Sequence, residues 1–301
     1  MYLWCLSRRG TYKHRAGCES LGYKPPSVLH FSRYLPLDCR FAVVSTDSFS
    51  YYIRNMATIT WGREFAAVYD STAAAMFQPE VVDPVVTTLA DLAAGGTALE
   101  FAIGTGRVAL PLSTRGVPVS GIELSPHMVE QLRTKPGSEQ IPVTVGDMAT
   151  TKLTTAGSFS VVYLVFNTIE NLTTQEEQIA VFANAATHLA PGGFFVVEVR
   201  VPQLRRLPPA EIGRVFELST NHVGIETFED LVGQISWSHH WMQVDGQLVR
   251  HSAPYRYVWP SELDLMARLA GMQLRDRWSD WAGQPFSADS TNQVAVYHKC
   301  R

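Results

Sequence analysis

The chain has 301 residues, of which 46% are hydrophobic and 18% charged, and its formal net charge is −3. This length and apolar content suffice for an α/β core with an additional subdomain. No apolar run reaches the roughly 18 residues that a membrane-spanning helix needs. Four widely spread cysteines, Cys5, Cys18, Cys39 and Cys300, lack the spacing of a metal site. We therefore expect a soluble, cytoplasmic protein with reduced thiols, no bound metal and no membrane partner.

Residues 1–55 differ in charge from the rest of the chain. They carry eight Lys or Arg and three acidic residues, whereas the remainder carries 17 Lys or Arg and 25 Asp or Glu. The segment has no sustained hydrophobic period, so we interpret it as a poorly ordered extension upstream of a start at Met56. A basic arm on nucleic acid or an anionic surface is the alternative. Because the basic residues are scattered and the main body is acidic, we expect no nucleic-acid partner.

The most informative stretch is 99–107, where a short apolar run with an acidic residue ends in a two-glycine turn before a helix-like segment. Gly104 and Gly106 lack a Cβ, so the backbone can turn tightly and approach a ligand, and the helix that follows offers free N–H groups. With Ala109 in third place the turn matches a dinucleotide fingerprint, and Glu123 stands where an acid would hold a ribose. This pattern predicts a nucleotide-cofactor pocket.

Glu100 favours a different ligand from NAD. A carboxylate at this position repels the pyrophosphate of a dinucleotide but attracts a cationic amine. S-adenosylmethionine (SAM) has such an amine, a ribose diol and no phosphate, so Glu100 and Glu123 can both accept hydrogen bonds from one ligand. The sequence therefore favours SAM.

The segments after the glycine turn alternate between helix and strand patterns. Helices are predicted over 107–114, 126–132 and 175–189, and strands over 117–123, 143–145, 159–166 and 194–199. The turn at 190–193 stops the third helix and precedes the last of these strands. Such alternation predicts a Rossmann-like, doubly wound α/β fold with a mostly parallel sheet.

Between residues 201 and 260 the alternation stops. Strands are predicted over 214–219, 231–242 and 247–257, the last two joined by a hairpin turn at 244–247. A small antiparallel sheet of this kind, lying over the strand ends and rich in histidine and aromatic residues, would form a substrate wall. Alternation puts His239 and His240 on opposite faces, so at most one of them faces the pocket.

The C-terminal segment is predicted to complete the core sheet. A helix over 261–270 precedes a strand pair over 272–280 and 293–298. One strand of the pair is expected to run antiparallel to the others, which a dinucleotide dehydrogenase of the usual plan lacks. The chain thus divides into the extension (1–55), a cofactor-binding core (56–200), a β-rich insertion (201–260) and the completion of the core (261–301).

From about residue 65 onward the chain resembles the class I SAM-dependent methyltransferases, and within them the small-molecule group. The motifs that carry the resemblance are 100–106 at the glycine turn, 121–125 (GIELS), 146–148 (GDM) and 189–193 (LAPGG). Ala102 departs from the glycine that the family usually has there. One extra methyl group fits, provided that the backbone keeps a negative φ.

The resemblance implies a set of cofactor-binding residues. They are Tyr69, Glu100, Ala102, Gly104, Gly106, Glu123, Leu124, Asp147, Met148, Phe166 and Asn167. Glu100 and the glycines would line the methionine end of SAM, Glu123 would accept from the ribose hydroxyls, and Asp147 would accept from the adenine amino group. Met148 would pack on the adenine ring, and Tyr69 would close over the ligand. In the alternative reading these residues are structural: Asp147 caps the next segment, Met148 is core and Tyr69 is a half-buried helix aromatic.

Phe166 and Asn167 would lie beside the sulfonium, at the strand ends where open α/β sheets bind ligands. Transfer from a sulfonium is an in-line displacement, so the protein has to align the nucleophile, exclude water and remove a proton from an amine or hydroxyl. The candidate proton acceptors are His239, His240 and Tyr255, with His222 and Glu170 as further possibilities, and spacing does not choose among them.

We therefore expect a SAM-dependent methyltransferase that modifies an N or O atom, less often a C atom, of a small molecule or short peptide. The alternative is a SAM-binding protein without catalysis that serves as a regulatory or partner-binding module.

Overall fold

A computed structural model describes residues 61–244 and 247–300. The extension predicted over 1–55 and the centre of the hairpin turn predicted at 244–247 lie outside these described residues. Within the described part of the chain, no helix is long and apolar enough to cross a membrane. The same part holds no group of three or more His, Cys, Asp or Glu side chains arranged for a metal ion.

Eleven strands and six α-helices make up the described chain. The strands are β1 (Ala98–Phe101), β2 (Val119–Glu123), β3 (Val143–Val145), β4 (Phe159–Leu164), β5 (Leu189–Arg200), β6 (Gly213–Leu218), β7 (His222–Asp230), β8 (Ile235–Val244), β9 (Gln247–Arg256), β10 (Met272–Trp278) and β11 (Asn292–Lys299). The helices are α1 (Arg63–Thr72), α2 (Pro79–Ala93), α3 (Ala109–Thr114), α4 (Pro126–Arg133), α5 (Gln175–His188) and α6 (Pro260–Leu269).

Seven strands form the core sheet in the order β10-β11-β5-β4-β1-β2-β3. Strands β1 to β5 pair in parallel, whereas β11 runs antiparallel to both of its neighbours. The predicted doubly wound sheet with one antiparallel C-terminal strand is thus confirmed. Its central strands are buried on both faces, which is why β1 and β4 read as nearly continuous apolar runs rather than as alternating ones.

Helix ends follow the local capping chemistry. Helix α5 begins with a capping box, in which the Thr174 side chain accepts from the Glu177 N–H and the Glu177 side chain accepts from the Thr174 N–H. Helix α4 begins at Pro126, and the Ser125 hydroxyl accepts from the Met128 N–H. These caps fix where the helices start after the strand ends, and so fix the loops that form the site.

Several boundaries differ from the prediction, and two of the differences have an identifiable cause. Helix α3 begins at Ala109 rather than at residue 107, because the turn continues through Arg107 and Val108. Strand β5 begins at Leu189 rather than at 194, because Leu189 already pairs with Phe159 before a register shift.

The second sheet has four antiparallel strands in the order β6-β7-β8-β9. The prediction of an antiparallel insertion is confirmed, but it missed β7. It also began the next strand too early, at 231. Asp230 accepts from the N–H groups of Val232 and Gly233 in a tight turn, so pairing resumes only at Ile235.

The second sheet lies at the carboxyl ends of the core strands. Strand β9 contacts the 3-10 turn Thr168–Asn171, which directly follows β4. This position agrees with the prediction that the insertion covers the ligand-binding edge of the core.

Candidate functional site

A cavity of about 550 Å³ opens at the carboxyl ends of β1, β2, β3 and β4. Its volume lies within the roughly 300–1,000 Å³ of small-molecule sites. Seven of the eleven predicted cofactor-binding residues line it, namely Tyr69, Ala102, Gly104, Glu123, Leu124, Asp147 and Met148. The other four, Glu100, Gly106, Phe166 and Asn167, are not part of its wall.

Glu123 ends β2 and holds two loops together at the cavity. One carboxylate oxygen accepts from the Gly104 N–H at 2.8 Å and the other from the Ser125 N–H at 2.9 Å. Burial raises the pKa of this carboxyl, and the backbone N–H groups oppose that rise. Each oxygen keeps a second lone pair, so Glu123 can still accept from a diol.

Asp147 lines the cavity together with the apolar side chains of Leu124 and Met148. One Asp147 oxygen accepts from the Ala149 N–H at 2.8 Å, so Asp147 does cap the next segment. Met148 is 8% exposed and belongs to the core while lining the cavity, and Leu124 is 54% exposed beside it. The structural and ligand-binding readings of Asp147 and Met148 are therefore compatible.

The two glycines of the turn have different reasons to be glycine. Gly104 has a φ of +56° and faces the cavity. Gly106 has a φ of +81°, and a Cβ there would also come within 2.4 Å of Leu132 Cδ1, so its backbone conformation and helix packing require this glycine without a ligand. Only Gly104 is placed to let a ligand approach the backbone.

The expectation that the backbone at Ala102 keeps a negative φ is wrong. Its φ is +54°, not negative, so the extra methyl group sits in the left-handed region that glycine adopts more easily. The turn that begins at Ala102 continues to Gly104. The chain therefore keeps the turn geometry in spite of the substitution, at a cost in conformational strain.

Glu100 lies beneath the turn and is 3% exposed. The Tyr163 hydroxyl donates to its Oε2 at 3.0 Å. Burial raises the pKa of Glu100 to about 8, although Tyr163 and the nearby Arg107 oppose the rise. At neutral pH this carboxyl is therefore mostly protonated, and a cation placed close to it would release the proton.

The segment after β4 holds a strained turn at the same edge. Phe166 and Asn167 have φ values of 61° and 59°. Strand β5 supports both of them: Glu198 accepts from the Phe166 N–H at 2.8 Å, and Asn167 Oδ1 accepts from the Arg200 N–H at 2.7 Å. The Asn167 N–H also donates to the Glu198 carbonyl, so strand β5 holds this turn in place outside the cavity wall.

Tyr69 belongs to an aromatic cluster on α1. Its ring lies 6.0 Å from that of Trp61 and 5.9 Å from that of Phe65, and Trp61 also lines the cavity. Burial raises the pKa of the Tyr69 hydroxyl. The Ser125 hydroxyl donates to the Trp61 carbonyl at 2.6 Å, which ties the start of α1 to the second strand loop. The sequence prediction missed Trp61, which lies just upstream of the region where the resemblance begins.

One face of the second sheet looks toward this cluster, and we call it the inner face. Cross-strand pairing places on it Ser236 opposite Tyr255, Ser238 opposite Ala253 and His240 opposite His251. The His251 ring stacks on Phe65 at 6.0 Å, and Phe65 lies one helical turn from the cavity-lining Tyr69. None of these six inner-face residues, the candidates His240 and Tyr255 included, lines the cavity itself, and the inner face approaches it through Phe65.

His239 lies on the opposite, outer face. It stacks on Trp237 and lies beside Trp241, with ring centroids 6.2 and 6.0 Å apart, and its Nδ1 lies 2.9 Å from Ser252 Oγ. The predicted alternation of His239 and His240 is therefore present, and only His240 is on the inner face. The structure does not bring His239 to the cavity.

Four charged side chains join the two sheets. Arg200, the last residue of β5, pairs with Glu170 at 2.8 Å and with Glu226 of β7 at 2.7 Å, and Arg214 of β6 pairs with Glu226 at 2.9 Å. Both carboxylates are almost fully buried. Burial raises the pKa of Glu170 to about 7, and Arg200 opposes that rise. Of these four residues only Glu170 was a sequence candidate, because nothing in the spacing of the others indicates that they meet.

Tyr255 lies close to this network. Burial raises the pKa of its hydroxyl. Arg200 opposes this rise, and Glu170 adds to it. Tyr255 is therefore a neutral hydrogen-bonding group at neutral pH rather than a base.

Comparisons with known proteins agree with this geometry. Residues 98–193 match the model of a methyltransferase domain. The methyltransferase CcbJ of Streptomyces caelestis is 35% identical, with 72% of this chain and 89% of that chain covered and a TM-score of 0.66. A cypemycin N-terminal methyltransferase of a Streptomyces species is 26% identical over 77% of this chain and 98% of that protein. The SAM-bound CalS10 of Micromonospora echinaspora, an amino pentose methyltransferase, is 22% identical and shares the fold, with 71% of this chain and 89% of that chain covered and a TM-score of 0.54.

The positive φ of Ala102 gives a prediction about stability. Ala102→Gly removes the clash of the methyl group, worth about 1–2 kcal/mol in this region, and adds unfolded-state entropy worth about 0.4–1 kcal/mol. We expect a net gain of up to about 1 kcal/mol in the free energy of unfolding, measured with urea. Ala109→Gly, at the start of α3, is the matched control and should lose stability. Equal losses in the two variants would show that Ala102 is unstrained.

Proposed function

Because this chain belongs to the class I SAM-dependent methyltransferases, we propose that it transfers the methyl group of SAM to an amine nitrogen of a small molecule or short peptide. The resemblance predicted from the motifs is confirmed by a relative with 35% identity, 89% of whose chain is covered. SAM is accordingly the cofactor.

The proposed cofactor roles follow the cavity from end to end. Glu123, whose two oxygens each keep a free lone pair, would hold the ribose diol. Leu124 and Met148 would contact the adenine ring, and Asp147 would accept from its amino group. The glycine turn and the buried Glu100 would hold the amine of the methionine end. This assignment rests on a cavity of suitable volume whose lining includes the carboxylate acceptors Glu123 and Asp147, as a diol and two amino groups require.

The acceptor is proposed to bind between the cavity and the inner face of the second sheet. When bound, SAM supplies an electrophilic methyl group on its sulfonium. The protein then has to hold the acceptor in line, exclude water and provide an exit for one proton. Tyr69 and Phe65 cover the site from α1, and Tyr255 is a neutral hydrogen-bonding group beside it.

The weakness of the available bases favours nitrogen over oxygen. The pKa of His240 is lowered to about 4, first by burial and then by His222 and His251, and both of its ring nitrogens have hydrogen-bond partners. Tyr255 is protonated, and Glu170 is paired with Arg200. A hydroxyl acceptor needs a strong base, whereas a neutral amine attacks through its own lone pair. The cypemycin relative, named as an N-terminal methyltransferase, supports an amine acceptor.

A SAM-binding protein without catalysis is the second candidate. The described residues keep both a cofactor cavity and an acceptor face, which such a protein does not need together. Incubation with labelled SAM and a panel of short peptides and amino sugars separates the two candidates. Transfer of label to a free amine supports the enzyme, whereas binding of SAM without transfer to any amine would contradict it.

The cofactor assignment predicts a binding pattern. SAM should bind in calorimetry while NAD and NADP do not. Glu123→Ala should weaken SAM binding by about 1–3 kcal/mol, because hydrogen bonds to a charged group are lost. Glu139→Ala, an exposed control, should bind SAM normally. Tight NADH binding without SAM binding would be incompatible with this cavity assignment.

The raised pKa of Glu100 predicts that SAM binding depends on pH. With a pKa of about 8 in the free protein, Glu100 holds a proton at pH 6–7. A cationic amine nearby favours the ionised form, so binding releases this proton and the affinity falls as the pH drops below 8, by at most about tenfold per unit.

Calorimetry between pH 6 and 8 in buffers of different ionisation enthalpy measures both the affinity and the proton released. Glu100→Gln should abolish both pH effects and weaken binding at pH 8. If the pH dependence survives in Glu100→Gln, the proton belongs to another group, and Glu100 is structural.

A further inference from the structure

Three polar side chains form a continuous hydrogen-bonded line on the inner face. Ser238 Oγ lies 2.9 Å from His240 Nε2, and His240 Nδ1 lies 2.9 Å from His222 Nε2. The rings of His240 and His222 are stacked, with centroids 5.1 Å apart. A hydroxyl and two imidazoles arranged in this way can pass a proton in either direction by switching tautomers.

The first end of the line lies in the middle of the inner face. Ser238 stands opposite Ala253 on one side and Glu226 on the other, and Glu226 is held by Arg200. Ala253 is small, so it leaves room between the larger Tyr255 and His251, its neighbours on the same face of β9. Ser238 is partly buried, and this gap is where its hydroxyl can meet a molecule placed between the sheet and the cofactor cavity.

The other end of the line reaches the open end of the sheet. His222 lines a separate cavity of about 190 Å³ together with Ser219, Asn221 and Gln243. Val223, Trp241 and Leu248 add apolar surface to the wall of this cavity, and its polar residues Asn221 and Gln243 are exposed. A proton that arrives at His222 can therefore leave to water at this end of the sheet.

We propose that Ser238, His240 and His222 form a proton relay that carries the proton released by methyl transfer from the acceptor nitrogen to solvent. This inference rests on the proposed amine methylation. As the N–CH3 bond replaces the S–CH3 bond, the acceptor nitrogen loses one proton to Ser238 Oγ. The Ser238 hydroxyl proton moves to His240 Nε2, the His240 Nδ1 proton moves to His222 Nε2, and the His222 Nδ1 proton passes to water. Both imidazoles end neutral, in the opposite tautomer, and no charge remains.

The environment of His240 favours the neutral imidazole, which a relay needs, over a protonated imidazole that retains the proton. The titratable groups around it are His222 on β7, His251 on β9 and the neighbouring His239, and together with burial they lower its pKa. A group that moves protons without retaining them has to stay neutral between turnovers. Ser238 touches the acceptor in this scheme and is catalytic, whereas His240 and His222 are positioning residues that act through it.

The outer face supplies a matched control. There Ser252 Oγ lies 2.9 Å from His239 Nδ1, the same pair of groups at the same distance on the face away from the cavity. Ser238→Ala and Ser252→Ala each remove a hydroxyl 2.9 Å from an imidazole nitrogen, and Ser252 Oγ also accepts from Arg250 Nε. Their comparison separates the relay from any general effect on the sheet.

The kinetics of methyl transfer test the relay. The amine probes are short peptides and amino sugars with free amines. Ser238→Ala and His222→Asn should lower kcat about 10²-fold, change KM less than threefold, and make kcat rise with imidazole concentration. Ser252→Ala should leave kcat unchanged. Equal losses in Ser238→Ala and Ser252→Ala, or a loss confined to KM, would overturn the relay.

Nuclear magnetic resonance of ¹⁵N-labelled imidazoles tests the relay without turnover, and so separates its failure from failure of the proposed function. His240 should stay neutral from pH 5 to 8, and Ser238→Ala and His222→Asn should each change its tautomer. A His240 that titrates near pH 6.5, or keeps its tautomer in both variants, would overturn the proposal even if amines are methylated. A third outcome is that the two variants change the tautomer of His240 but the protein methylates no amine. The hydrogen-bonded line would then exist, and its role in amine methylation would be overturned.

Discussion

The contact between Arg200 and two buried carboxylates is the interaction on which the site depends. Arg200 ends the strand next to the cavity, Glu170 lies in the turn after β4, and Glu226 lies on the second sheet. Without the guanidinium, Glu170 would be left buried and unpaired and Glu226 would keep only Arg214, and breaking a buried pair typically costs about 3–5 kcal/mol. The network therefore fixes where the second sheet lies, and with it the inner face.

The same end of β5 also supports the strained turn after β4. The Arg200 N–H donates to Asn167, while its side chain holds Glu170 three residues further on. Two consecutive residues with positive φ persist only where the surroundings determine them strongly. One residue thus links the backbone next to the proposed sulfonium position with the orientation of the acceptor wall. A substitution at Arg200 should therefore alter both the turn after β4 and the orientation of the second sheet.

Sequence patterns predicted the core and the cavity better than the acceptor side, for a physical reason. The glycine turn, the acid that ends β2 and the turn at Asp147 are local features, each set by a few adjacent residues, and the parallel sheet brings their ends together. The ion pairs of Arg200 join residues 26 to 30 positions apart on different elements, and no period in the sequence indicates them. The αL conformation of Ala102 was likewise missed because alanine gives no local signal for it.

Alternation in the second sheet shows what local patterns can and cannot decide. It separates His239 from His240 without any structure, since adjacent residues of a strand point to opposite faces. It does not say which face meets the cavity, because that depends on how Arg200 and Arg214 hold Glu226. Once the inner face is fixed, the tryptophan-flanked His239 is removed from the chemistry, and the buried His240 is left among other histidines, with a lowered pKa. A histidine in such a place is a weak base, so the chemistry of the inner face suits an acceptor that supplies its own lone pair.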